Sequence, residues 1–240
     1  MTEPAGLEKL QIAPVLATVQ KLEQRIGARF PERGLHRVAG ELVNWVEQVA
    51  ADSPGLRRQL RTARVASRVA MLAVVALAVV VFVVALHAAF VDDTVHGVDW
   101  VPLLESSVND LVFVAIAVFF LRGFPERLQR SATLRQLHRL RSLAHIIDMH
   151  QLTKDPERFR STFVTTSSSP RMDLTPEQLE HYLDYCSELL SLVGKSAALC
   201  AEESQDQVVL DTVSTIEALT VSLSRKIWQK IAVLAELRAR

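Results

Sequence analysis

Residues 69–121 of this chain contain no lysine and no arginine, and this limits what the polypeptide can become. A surface facing water draws on cations as well as anions, and 53 consecutive residues without one are hard to reconcile with it. Within the window, Val69 to Leu86 is an unbroken run of 18 apolar residues. Continued to Val91 it reaches 23 residues, roughly 34 Å of helix, which is enough to cross the ~30 Å hydrocarbon layer of a bilayer. The core helix of a soluble protein rarely keeps more than about 14 wholly apolar residues. The run predicts a membrane-spanning helix.

A second apolar block, Leu111 to Leu121, has only 11 uninterrupted residues. Extended over 108–124 it gives 17 residues, roughly 25 Å, and spans with Asn109 and Asp110 near one interface. The flanks assign the interfaces. Arg57, Arg58, Arg61, Arg64 and Arg68 precede the first block, and Arg122, Arg127, Arg130, Arg135, Arg139 and Arg141 follow the second. Between the blocks lies a cation-free, acidic segment carrying Trp100, a residue type of membrane interfaces. The positive-inside rule then expects a two-helix hairpin, with spans at about 69–91 and 103–124 and both termini in the cytoplasm. The first span starts behind polar, helix-like sequence, the pattern of an uncleaved insertion signal. The expected location is the cell (inner) membrane, with lipid bilayer around the spans. Arg outnumbers Lys 21 to 6, and with abundant Ala and Val this leans towards a bacterial genome of high GC content.

The remaining sequence reads as helices, so the expected fold class is an all-α membrane protein. In the N-terminal region, 1–68, Val15, Val19, Leu22 and Ile26 mark a helix starting at Pro14 and broken by Phe30-Pro31 and Gly34. Leu35, Val38, Leu42, Trp45/Val46 and Val49 form a second stripe. Ser53-Pro54 is read as the cap and first turn of a third, basic helix leading into the first span. After the hairpin of 69–124, punctuated by Gly123 and Pro125, residues 125–152 form a basic helix with Leu134, Leu137, Leu140, Ala144 and Ile147 on one face. Residues 153–175 are a linker with Asp155-Pro156 and Ser169-Pro170. Thr175-Pro-Glu-Gln178 is a capping box opening a cytoplasmic helical hairpin over 176–240, and Ser204 to Gln207 is a second capping signature. The last helix carries Val209, Val213, Ile216, Leu219, Leu223, Ile227, Ile231 and Leu234, a coiled-coil-like seam that suggests a homo-oligomer.

Composition removes several functions. The 27 basic and 27 acidic side chains balance, so nothing points to nucleic acid. Eight glycines leave no dinucleotide fingerprint, phosphate-binding loop or nucleophile elbow. No Ser-x-x-Lys occurs, and Cys186 and Cys200, 14 residues apart on one predicted helix, are expected as reduced thiols that cannot pair.

Three features can carry chemistry. His145-x-x-Asp148 and His181-x-x-Asp184 each put an imidazole and a carboxylate on one helix face, with Glu177, Glu188 and His138 a turn or two away. Paired, they offer a divalent-metal site on the logic of helical metal bundles, although the residue order is reversed. Met149 to Pro156 is either an anion-binding or docking strip, or a helix C-terminus where His150 and Lys154 complement the dipole. Glu105, Asn109 and Asp110, with His87 positioned to pair with Asp110 across the hairpin, would line the mouth of a cation pore in an oligomer. The leading expectation is a non-enzymatic, self-associating membrane anchor or scaffold whose cytoplasmic helices contact a protein partner. The alternative is an oligomeric ion-conducting or pore-forming protein.

Overall fold

The computed structural model describes residues 9–91, 100–202 and 204–239, with side chains outside 52–60, 88–91 and 100–103. Five α-helices account for nearly all of them, and no strand occurs among the described residues. They are α1 (Ile12–Arg29), α2 (Gly34–Val91), α3 (Trp100–Leu152), α4 (Pro176–Ala201) and α5 (Gln207–Ala239), with one 3-10 turn at Pro156–Phe159. The chain divides into two compact units. Met1–Asp52 and Ala132–Arg240 form one, and Ser53–Ser131 forms the other.

The first unit is a helical bundle, and its stripes bury as their spacing demands. Helix α1 turns Val15, Val19, Leu22 and Ile26 inward. It closes where the Phe30 N–H donates to the Ile26 carbonyl at 2.7 Å and Pro31 prevents continuation. The first part of α2 buries Leu35, Val38, Leu42, Trp45 and Val46, and the last part of α3 buries Leu137, Leu140, Ala144 and Ile147. Helix α4 is the most enclosed, with Tyr182, Leu183, Cys186, Leu189, Leu190 and Val193 all at or near zero exposure. Its start is the expected capping box. Thr175 accepts from the Gln178 N–H at 3.2 Å, and Gln178 accepts from the Thr175 N–H at 3.0 Å.

Helices α4 and α5 pack closely enough that a Cβ at Gly194 would meet Thr220 Oγ1 at 3.0 Å. Helix α5 spends its stripe here. Val209, Val213, Ile216, Leu223, Ile227 and Leu234 are buried, and Leu219 and Ile231 pack at the edge. The expected oligomer seam is therefore occupied within one chain, and it no longer argues for a second copy. The α5 cap also differs from expectation. Asp206, not Ser204, accepts from the Val208 and Val209 N–H groups, at 3.0 and 3.3 Å, because a carboxylate one residue before the helix reaches its free amides directly.

Two expected breaks do not occur. Helix α2 runs through Ser53-Pro54 and α3 through Gly123 and Pro125. A proline inside a helix removes one hydrogen bond and costs about 3 kcal/mol, which strong helix formers on both sides can absorb. Ala50-Ala51 and Leu56-Arg57-Arg58 supply them at Pro54. At α1 the helix begins two residues before the expected Pro14.

Candidate functional site

The second unit holds the apolar segments. Two of its helical stretches are long and apolar enough to cross a membrane, and none of their most apolar windows is buried inside the protein. Along the first, Val69 is 60% exposed, Leu72 69% and Leu77 65%, and along the second Phe113 is 70% and Phe119 69% exposed. Leaving a Val, Leu or Phe side chain in water rather than an apolar medium forgoes about 1.5–3 kcal/mol. Repeated along both helices, that is a surface built for something other than water.

One polar contact pins the two helices together. Pro125 has no N–H, so the Leu121 carbonyl one turn earlier loses its regular donor within α3. Ser67 Oγ of α2 donates to that carbonyl. Ser67 is only 8% exposed, in a unit whose large apolar side chains face outward. The proline thus creates an unsatisfied acceptor and the serine answers it across the pair. Pro125 stands out in the sequence as a helix breaker, but Ser67 does not. The signal was the i−4 carbonyl of Pro125 together with a lone hydroxyl beside the first apolar run. Nearby, Arg127 lies 5.5 Å over the Phe120 ring, and Arg61, Arg64 and Arg68 are exposed. Arg57, Arg58 and Trp100 lie outside the described side chains.

Glu105, Asn109, Asp110 and His87 are all exposed, and His87 makes no ion pair with Asp110.

The paired His-x-x-Asp residues remain on separate helices. His145 is exposed on α3, while Asp148 accepts from Gln151 Nε2 at 2.6 Å. On α4, His181 is exposed and Asp184 is partly buried, its carboxyl held above the usual range by burial and then by Glu180. Glu177 is exposed, Glu188 is engaged by Arg25 at 2.8 Å, and His138 lies with Arg139 and Ser142 along a shallow groove. No group of three or more His, Cys, Asp or Glu side chains able to hold a metal occurs among the described residues. The buried positions of these helices are taken largely by Leu, Tyr and Ile, which leaves the two histidines exposed.

Met149 to Pro156 forms a tightly built corner. Helix α3 ends at Leu152, and the Gln151 carbonyl accepts both the Lys154 N–H at 3.0 Å and Lys230 Nζ from α5 at 2.7 Å. A lysine placed on the last carbonyls of a helix complements its negative end. Lys230 was not singled out from the sequence, because the contact joins positions 79 residues apart. Asp155 accepts from the Glu157 N–H at 3.0 Å and starts the 3-10 turn. Lys154 Nζ lies 5.9 Å from the Tyr182 ring centre, with its pKa drawn below the usual lysine value by burial and then by Arg33. The His150 pKa is lowered by burial and then by Arg37 and Lys154.

Both cysteines are free thiols. Burial holds Cys186 far above the ordinary thiol value and pushes Cys200 up to about 11, so both are protonated packing groups rather than nucleophiles.

Comparison of the chain with models of known protein families, with curated proteins and with solved structures finds no match.

Proposed function

We propose that this is an integral membrane protein of non-enzymatic type: an apolar helix pair enters the lipid as a hairpin and anchors a helical bundle on the cytoplasmic side. The observation that carries the reading is the absence of burial along both apolar helices, which separates them from the core helices of a soluble protein. Their place in the middle of the described chain separates them from a signal sequence. The bundle supports an even number of crossings. Met1–Asp52 and Ala132–Arg240 build one compact unit, so the two segments must share a compartment to meet. The arginines beside both spans support the cytoplasm as that compartment.

The bundle serves as a scaffold for partners in the cytoplasm. Self-association would use outer faces such as that of Val221 and Trp228, 52% and 60% exposed, since the inner stripe of α5 is occupied. A cation pore formed by several copies is the alternative reading. It draws on the exposed Glu105, Asn109 and Asp110, and predicts a current in planar bilayers that changes with Asp110→Asn.

The test is fractionation with alkaline carbonate washing, combined with reporter fusions at each end. The anchor reading expects a carbonate-resistant membrane protein with both reporters cytoplasmic. A soluble protein, or reporters on opposite sides, overturns it.

A further inference from the structure

The corner where α2 begins and α3 ends gathers several cations, of which Arg33 is paired with Asp173 and Arg158 donates to the Pro170 carbonyl. Arg33 and Arg37 are spaced four residues apart, as are His150 and Lys154. The two sets are brought side by side by the contact between Gly34 and the His150 ring, which is so close that any Cβ at position 34 would collide with it. Lys154 lies over Tyr182, whose ring packs edge-on against Phe30 at 5.5 Å, three residues before Arg33. Arg158 belongs to the same group, since it and Arg33 are the cations that act on Lys154. Arg33, His150, Lys154 and Arg158 are all partly buried, so water screens them less than ordinary surface charges.

One opposing carboxylate, Asp173, lies within the group itself, acting on both Arg33 and Lys154, and others are engaged nearby. Asp173 is held by Arg33 at 2.8 Å, Glu23 is held by His36 at 2.7 Å, and Asp155 caps the 3-10 turn. Glu32 and Glu41 stand exposed. Arg37 makes no ion pair among the described residues. A groove of about 640 Å³ opens beside Arg33 and Arg37, and Glu23, Glu32, His36 and Glu41 also line it. Asp173 offsets Arg33 and part of Lys154, whereas Arg37 and Lys154 both bear on the His150 ring, and an anion placed between them would relieve that repulsion.

We propose that this corner binds a phosphoryl group, with Arg37 and Lys154 as the principal ligands, Arg33 and Arg158 as supporting cations and the neutral His150 ring as a hydrogen-bond donor. Guanidinium groups match phosphate oxygens in a fork, and lysine adds a compact charge. The group arrives either as free phosphate or as a phospholipid head. The proposal does not rest on the membrane reading, because every residue named belongs to the bundle.

The test uses the full chain in a neutral sugar-based detergent. Inorganic pyrophosphate is titrated calorimetrically at constant ionic strength, and thermal unfolding is followed in micelles doped with phosphatidylglycerol or with phosphatidylcholine. Saturable pyrophosphate binding that weakens at least tenfold in Arg37→Gln/Lys154→Gln, and is unchanged in Lys21→Gln, supports a free-phosphate site. Stabilisation by phosphatidylglycerol alone, lost in the same double variant, supports a lipid headgroup site. No binding in either arm, or equal binding by the double variant once circular dichroism shows it folded, overturns the proposal.

Discussion

The two units of this protein use similar apolar residues in opposite ways. In the bundle, Leu183 and Leu190 are fully buried, each on a helix that turns polar residues to water. In the helix pair, Leu72 and Leu77 are exposed on helices with no polar face to turn. Polar backbone groups divide along the same line. The bundle answers its helix ends with several local caps, from Thr175, Asp155 and Asp206, and with Lys230. In the helix pair the Ser67 hydroxyl meets, across the two helices, the Leu121 carbonyl displaced by Pro125. In an apolar medium an unmet carbonyl has no water to turn to, so that contact matters more there than it would at a solvated helix end.

The sharpest way to break the contrast is the same truncation in both places. Leu183→Ala should cost about 2–5 kcal/mol in urea unfolding of the bundle, and Leu77→Ala less than about 0.5 kcal/mol. Equal losses would mean that the exposed helices are a core after all. Next in size, Val79→Arg should oppose membrane insertion by about 2.5–3.5 kcal/mol and move protein out of the carbonate-resistant fraction, leaving the bundle's own unfolding unchanged.

A cycle on the cross-helix contact should be smaller and non-additive. Ser67→Ala leaves the Leu121 carbonyl orphaned and should destabilise the pair by about 1–3 kcal/mol. Pro125→Ala restores an N–H within α3, so Ser67→Ala made on that background should cost much less. Helix-pair stability in micelles, read by unfolding in a denaturing detergent, reports the difference.

Smallest is a pH effect confined to the bundle. His150 has a lowered pKa in the fold, so the unfolded chain binds more protons as the pH falls through the ordinary imidazole range. Its contribution to stability is complete above about pH 7 and is lost as pH drops below about 6.5. Urea midpoints at pH 7.5 and 5.5 should differ less in His150→Gln than in the parent protein.

Much of this architecture was legible in the chain because periodicity and charge are local signals. The stripes of α1, α4 and α5, the Thr175 box and the end of α3 at Leu152 can each be read within about two turns of sequence. The apolar windows declare themselves by composition. Continuity was not legible at Pro54 and Pro125, because a breaker's effect depends on the helix formers around it and on whether another chain segment meets the freed carbonyl. Ser67 and Lys230 were invisible for a related reason, since each acts on a backbone oxygen far away in sequence. The cationic corner was half visible. Met149–Pro156 stood out from its residue types, but Arg33 and Arg37 join it only through the fold.

That the bundle is built from two separated stretches of chain has a consequence for synthesis. Its first portion, with the Trp45 stripe, leaves the ribosome before Ser53–Ser131, and its remaining helices follow afterwards. At about 5–20 residues per second the intervening stretch occupies the ribosome for roughly 4–16 s. Throughout that interval an orphaned half-core waits without its complement, long enough to be seized by a chaperone or by a neighbouring nascent chain.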